Sequence, residues 1–431
     1  MRHPRVPRSA AGDHEESSRF IYAVAVVSSP LAPVLVLNVQ RDFQCRHSGA
    51  CCAFGGHIPI EPATHALVAD GIRAGHLRSP GPAGDATHDA WMDTSHPPAG
   101  AAGVLQTRAD GACVFFDADA GRLCAIQRAL GHDALPSACQ QFPRVSLIDD
   151  RGAHVTFSHY CPTVAAMLLG NAGKAAEIVT LAGADAEARR RVEGFDARAA
   201  VPPFLRPEVA FDLPAYDAWE RGIVRALGRP GRDPDATLAA IAGAAEDLRG
   251  WRPARGPLVA DVERVLRATV EPAGAHGDAS HGPPGYTAMA RLFDDVAASV
   301  PEGLPRSVCP PDWASADAAC VAGAWSRLAE PVGRFLAAKA FASSMAWQGR
   351  GVRTQVMAVA AARAVLRIET ARRAELASRV CDAAMLVEAA RAADLLLEHV
   401  SDRQALISRW AGVEALSSTA FLASLGLEDL S

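Results

Sequence analysis

Cys113-Val-Phe-Phe-Asp-Ala-Asp-Ala-Gly-Arg-Leu-Cys124 sets two apolar runs around an Asp/Ala/Gly turn, the pattern of a β-hairpin with a thiol at each end. Its midpoint near Ala118 and Asp119 predicts that Cys113 and Cys124 lie nearly opposite each other across the ladder, about 4.5–5.5 Å apart at the backbone. Two thiols at that separation can share a metal, or can form a disulfide in an oxidising compartment. Upstream, Cys45-Arg-His-Ser-Gly-Ala-Cys51-Cys52 is followed by Gly55 and Gly56. Glycines at 49, 55 and 56 permit the tight turns that let two adjacent cysteines point to one side, which a regular strand forbids.

Downstream, a helical run from Cys124 to Leu130 stops at Gly131 and resumes after Pro136 in a short turn carrying Cys139. Cys161-Pro162 then opens another helix, with Pro162 at its first position and Cys161 as its cap. A thiol there feels the positive end of the helix dipole, so a lowered pKa is expected and Cys161 reads as the best single metal ligand. Seven of the ten cysteines thus lie between residues 45 and 161, where an even spread would leave about three. The candidate ligands are Cys45, Cys51, Cys52, Cys113, Cys124, Cys139 and Cys161, with His47 and His159 two residues from ligand candidates. Thiolate-rich sites suit an iron–sulfur cluster or zinc, and the sequence does not choose between them. Cys309, Cys320 and Cys381 fall in a helical region and read as small apolar core residues.

The 431 residues are 49% hydrophobic and 21% charged, with a net charge of -5, a globular composition large enough for its own cores without disulfide staples. No basic field gathers nucleic acid, and Pro30 and Pro33 interrupt the apolar stretch 21–38 that would otherwise suggest an anchor. A reducing, cytoplasmic compartment is expected, with no membrane partner. The fold class reads as α+β. An arm and β-rich lead over 1–40 precede a loop-rich cysteine-cluster domain over 41–170, with a β-hairpin and short helices. A mainly α-helical region of unknown role follows over 171–431. Ser79 to Gly103 reads as a surface-loop insertion. From Val352, the spacing of Val356, Val359 and Leu366 predicts a bundle helix, and Ser401 with Gln404 predicts a capping box for a later one.

These residues resemble a known family. Phe43-x-Cys45, Gly49-x-Cys51-Cys52, Cys113, Cys124-x-Ile126 and Cys139-x-x-Phe142-Pro143 are similar to the zinc- or iron-chelating cysteine-cluster (YkgJ-like) family. Leu123 to Gly131, Leu135 to Cys139, Phe142-Pro143-Arg144 and Ser158-x-x-Cys161-Pro162 look like its flagellin lysine N-methylase branch. Ser48 stands where the broad family commonly carries another cysteine. The resemblance implies methyl transfer from S-adenosylmethionine to lysines of flagellin or a comparable protein, through residues the sequence does not identify. No strand followed by Gly-x-Gly-x-x-Gly, no phosphate-binding loop and no His-Glu-x-x-His is present. A noncatalytic metal-handling protein and a thiol redox switch therefore stay open beside the methylase.

Overall fold

A computed structural model describes residues 33–53, 55–56, 58–80, 91–95, 97–117, 121, 123–181, 194–271, 285–302, 304 and 306–427. The fold is mixed α/β, small sheets beside many helices, in line with α+β.

Five strands form the largest sheet, in the order Phe195–Asp196, Arg144–Asp149, Gly152–Phe157, Val34–Leu37, Ile178–Thr180. Val34–Leu37 runs parallel to Gly152–Phe157 and antiparallel to Ile178–Thr180. Alternate side chains face opposite ways along a strand. Val34 and Val36 accordingly join Ile148, Ala153, Val155 and Phe157 in a core that includes Cys161, while Leu35 and Leu37 face the helices. That second face continues into the largest core, which takes in Leu168 and Leu169 together with helices as distant as Ser418–Ser424. One sheet therefore ties the cysteine-bearing segment to the helical half.

A separate small core lies beneath the thiols. Pro59–Ile60, Gly103–Leu105 and Met92–Asp93 form a three-stranded sheet, and Ile60, Leu105, Phe115 and Ile126 pack around a fully buried Trp91. Trp91 also stacks on His65 and meets Phe115 edge-on. The stretch Ser79 to Gly103 is thus not all surface loop. Its Trp91 and Met92 bury a large apolar area, which outweighs the polar, glycine-rich sequence around them; residues 81–90 lie outside the described set.

Among the helices, Val352–Leu376 follows the expected pattern but is buried almost all round rather than along one stripe. Its charged residues are paired inside: Arg363 bidentately with Asp235, Arg367 with Asp317, and Arg353 with Glu246. Desolvated guanidinium groups are tolerated only with such partners. The cap of Arg403–Arg409 is Asp402, whose carboxylate accepts from the Gln404 and Ala405 N–H groups, not Ser401, whose hydroxyl turns back to the Leu397 carbonyl. Among the described residues, no helix is long and apolar enough to cross a membrane.

Candidate metal centre

Gly49, at φ 75°, turns the chain into the short 3-10 helix Ala50–Cys52, and the Cys51 and Cys52 sulfurs end 3.9 Å apart. The Cys113 N–H donates to the Cys52 carbonyl at 2.7 Å, which fastens the third thiol to the vicinal pair. Gly55 and Gly111 approach each other there, both at positive φ, and a Cβ on Gly111 would lie 3.7 Å from the Gly55 Cα. Larger residues would be strained at those backbone angles.

The hairpin is present with a different register. Phe116–Asp117 pairs with Leu123–Cys124, and Phe116 rather than Cys113 lies opposite Cys124. Cys113 bridges instead to Thr107 on another segment. Cys124 is nonetheless close enough to act on the Cys113 thiol electrostatically, because the chain folds back after Phe115. Cys124 caps the helix Ala125–Leu130, Gly131 ends it at φ 92°, and Cys139 sits in Ser137–Gln141, as the stop and start signals implied.

These five thiols form one electrostatic unit. Cys52 is hydrogen-bonded to the Cys124 thiol and lies against Cys51, and these contacts, Cys124 first, drive its pKa far up. Those two sulfurs move the other way. Cys124 is lowered to about 7, first by that hydrogen bond, against burial, with the Ile126 and Gln127 N–H groups helping. Cys51 is lowered by the same contact with Cys52. Burial pushes Cys113 up to about 11, and it pushes Cys139 well above the ordinary range, where the charges of Cys124, Cys113 and Cys51 add to the effect.

Cys45 and Cys161 lie at a second location. Cys45 is exposed and receives the His47 N–H at 3.4 Å, with the His47 Nδ1 at 3.9 Å. Cys161 caps Pro162–Leu169 as expected, but it is buried in the sheet's core, and the thiol acting on it is Cys45. Its pKa is raised, not lowered. Burial outweighs the Thr163 and Val164 N–H groups at the start of the helix, whereas at Cys124, in the same cap position, the contact with Cys52 and the Ile126 and Gln127 N–H groups outweigh burial. Tyr160 links the two locations, since its hydroxyl feels the charge at Cys51.

His159 is buried with both ring nitrogens engaged. Nδ1 lies 3.2 Å from the Asp394 carboxylate and Nε2 lies 3.0 Å from the Gln40 amide nitrogen. The carboxylate accepts only, so Nδ1 carries a proton toward it. Cys381 is buried in the helical core, and Cys309 and Cys320 pack against it half-buried, in keeping with a structural role.

Among the described residues, no three Cys, His, Asp or Glu side chains form a finished metal site as they stand. The donors nevertheless suit one. The 3.9 Å between the Cys51 and Cys52 sulfurs is close to the edge of a sulfur tetrahedron around zinc, about 3.8 Å for bonds of about 2.3 Å. A small, half-open cavity is lined by Cys51, Cys52 and Cys113 with Gly55, Gly111 and Gln106. No family model matches the chain, and neither do any of the curated proteins or solved structures.

Proposed function

We propose that this chain holds a soft metal centre, an iron–sulfur cluster or zinc, on Cys51, Cys52, Cys113, Cys124 and Cys139, in the reducing cytoplasm. One observation carries the reading: five thiols from four separate segments act on one another's charge, with Cys113, Cys124 and Cys139 packed on one small core and Cys51, Cys52 and Cys113 lining one small cavity. A purely apolar core gains nothing from thiols that drive one another's pKa values apart. Two sulfurs already inclined to thiolate lower the proton cost of metal binding. Cys45 and Cys161, with His47 beside Cys45, form a neighbouring pair.

Metal analysis of anaerobically purified protein, with its visible spectrum, tests the proposal. Bound iron with sulfide, or zinc, at a fixed stoichiometry is expected. A fully folded chain free of metal would contradict it.

A second reading draws on the Cys139-x-x-Phe142-Pro143 and Ser158-x-x-Cys161-Pro162 segments: methyl transfer from S-adenosylmethionine to lysines of flagellin or a comparable protein. The acceptor amine must lose its proton before it can attack, so the substrate lysine needs an apolar channel or a base. A bound metal would order the thiol-bearing loops or act electrostatically. Incubation with S-adenosylmethionine and flagellin should add about 14 mass units per methyl to the substrate, since methylation keeps the lysine charge. Unchanged mass with the metal centre intact would favour noncatalytic metal handling.

A further inference from the structure

Sequence gave no role to the helical half, yet it grips one thiol-bearing element at both ends. At the amino end of Pro162–Leu169, Asp394 is fully buried, and its Oδ2 accepts from the His159 N–H at 2.7 Å and from the Ser158 hydroxyl at 3.0 Å. Its Oδ1 takes the His159 Nδ1–H at 3.2 Å. Ser158 Oγ also lies 2.6 Å from His399 Nε2, and Arg391 donates to the Tyr160 carbonyl at 3.1 Å while lying over the Tyr160 ring. Lys339 pairs with both Asp394 and Glu398, so the carboxylate is not left as an isolated buried charge. At the carboxyl end of the same helix, Arg334 is only 1% exposed and donates to the Leu168 and Leu169 carbonyls at 2.7 and 2.9 Å.

Asp394 thus holds the turn that leads into the helix, and Arg334 is a cation at the helix's negative end, both contributed from far along the chain. The Arg334 charge favours the macrodipole, and burial removes the solvent screening that weakens such effects at a surface. The last C=O groups, which no helix satisfies internally, find their donors in Arg334.

We propose that the helical half is a socket for Pro162–Leu169, and that Asp394 is the positioning residue that sets the 158–161 turn and with it the place of Cys161. Its purpose in metal binding rests on the reading above, but the socket itself does not. Ser158, His159 and Tyr160 make their contacts through backbone groups and short side chains, so displacing the turn displaces Cys161 with it. Glu398 and Arg403 complete the charges around Lys339 and keep that side of the socket paired.

The test compares two thiols of similar burial, Cys161 at 6% exposure and Cys381 at 5%. The full chain as purified is alkylated with iodoacetamide, and each cysteine is followed by peptide mass spectrometry, with metal content recorded on the same samples. Asp394→Asn should speed modification of Cys161 about ten-fold or more, the effect of losing charged hydrogen bonds to the turn, and leave Cys381 unchanged. Ser158→Ala, a milder change that keeps Lys339 and Asp394 paired, should do the same to a smaller extent and serves if Asp394→Asn does not fold. Equal acceleration at both thiols in Ser158→Ala, or none at Cys161 in either variant, would overturn the proposal. A metal-free wild-type sample would sink the metal reading and leave this comparison standing.

Discussion

Replacing Cys52 with alanine should raise the pKa of a different residue, Cys124. In the metal-free, reduced chain, Cys124 titrates at about 7, held there chiefly by the hydrogen bond from the Cys52 thiol. Without that donor, burial pushes the group up while only the Ile126 and Gln127 N–H groups pull it down, so the midpoint should reach at least the unperturbed value of about 8.5. Moving the midpoint from about 7 to about 8.5 corresponds to about 2 kcal/mol, within the range for a hydrogen bond to a charged group. At pH 7 the thiolate fraction falls from about one half to about 3%, but a more basic thiolate is also a better nucleophile. With a Brønsted slope of about 0.45, the rate at pH 7 drops only about three-fold. The informative quantity is therefore the midpoint of the alkylation rate against pH, followed on the Cys124 peptide from about pH 5 to pH 10, with far-UV circular dichroism confirming the fold. An unchanged midpoint near 7 in Cys52→Ala, or a wild-type midpoint already at 8.5, would refute the shared-proton arrangement.

Loss of metal should follow Cys124→Ala and not Cys381→Ala, because Cys381 packs in the helical core far along the chain from the thiol unit; elemental analysis per folded chain distinguishes them. Trp91→Ala should cost about 3–5 kcal/mol of stability in denaturant unfolding of the small core, with weaker metal retention, since the side chain is fully buried against Phe115 and His65. Acid should weaken the fold through Asp149. Burial pushes its carboxyl up, but hydrogen bonds from His154 and Arg151 outweigh that and hold it far below the usual range. A depressed folded-state pKa contributes stability above the unfolded value of about 4 and loses it progressively as pH falls below that, so the urea midpoint should decline there, and less steeply in Asp149→Asn.

Local signals carried much of this fold. Gly131 ended one helix and Pro162 began another because a missing side chain and a fixed φ act within one residue of the boundary. The Val352 helix was legible from its spacing, although its buried arginines were not, since their carboxylate partners Asp235 and Asp317 lie far away in sequence. The hairpin was foreseen and its register was not: the chain leaves the ladder before Cys113 to pair with Thr107, a choice made by the neighbouring segment. Cys161 went astray for a similar reason. A cap position is visible in sequence, but the apolar core around it, which reverses the sign of the pKa shift, comes from strands on both sides. The grip of Asp394 on Ser158 and His159 spans more than two hundred residues, and nothing in either local sequence announces it.

X-ray absorption at the edge of whichever metal co-purifies with the chain bears most directly on the thiol unit. A first shell made mainly of sulfur at about 2.3 Å is expected, reduced or lost in Cys124→Ala. A shell of oxygen and nitrogen without sulfur would show that the clustered cysteines do not hold the metal.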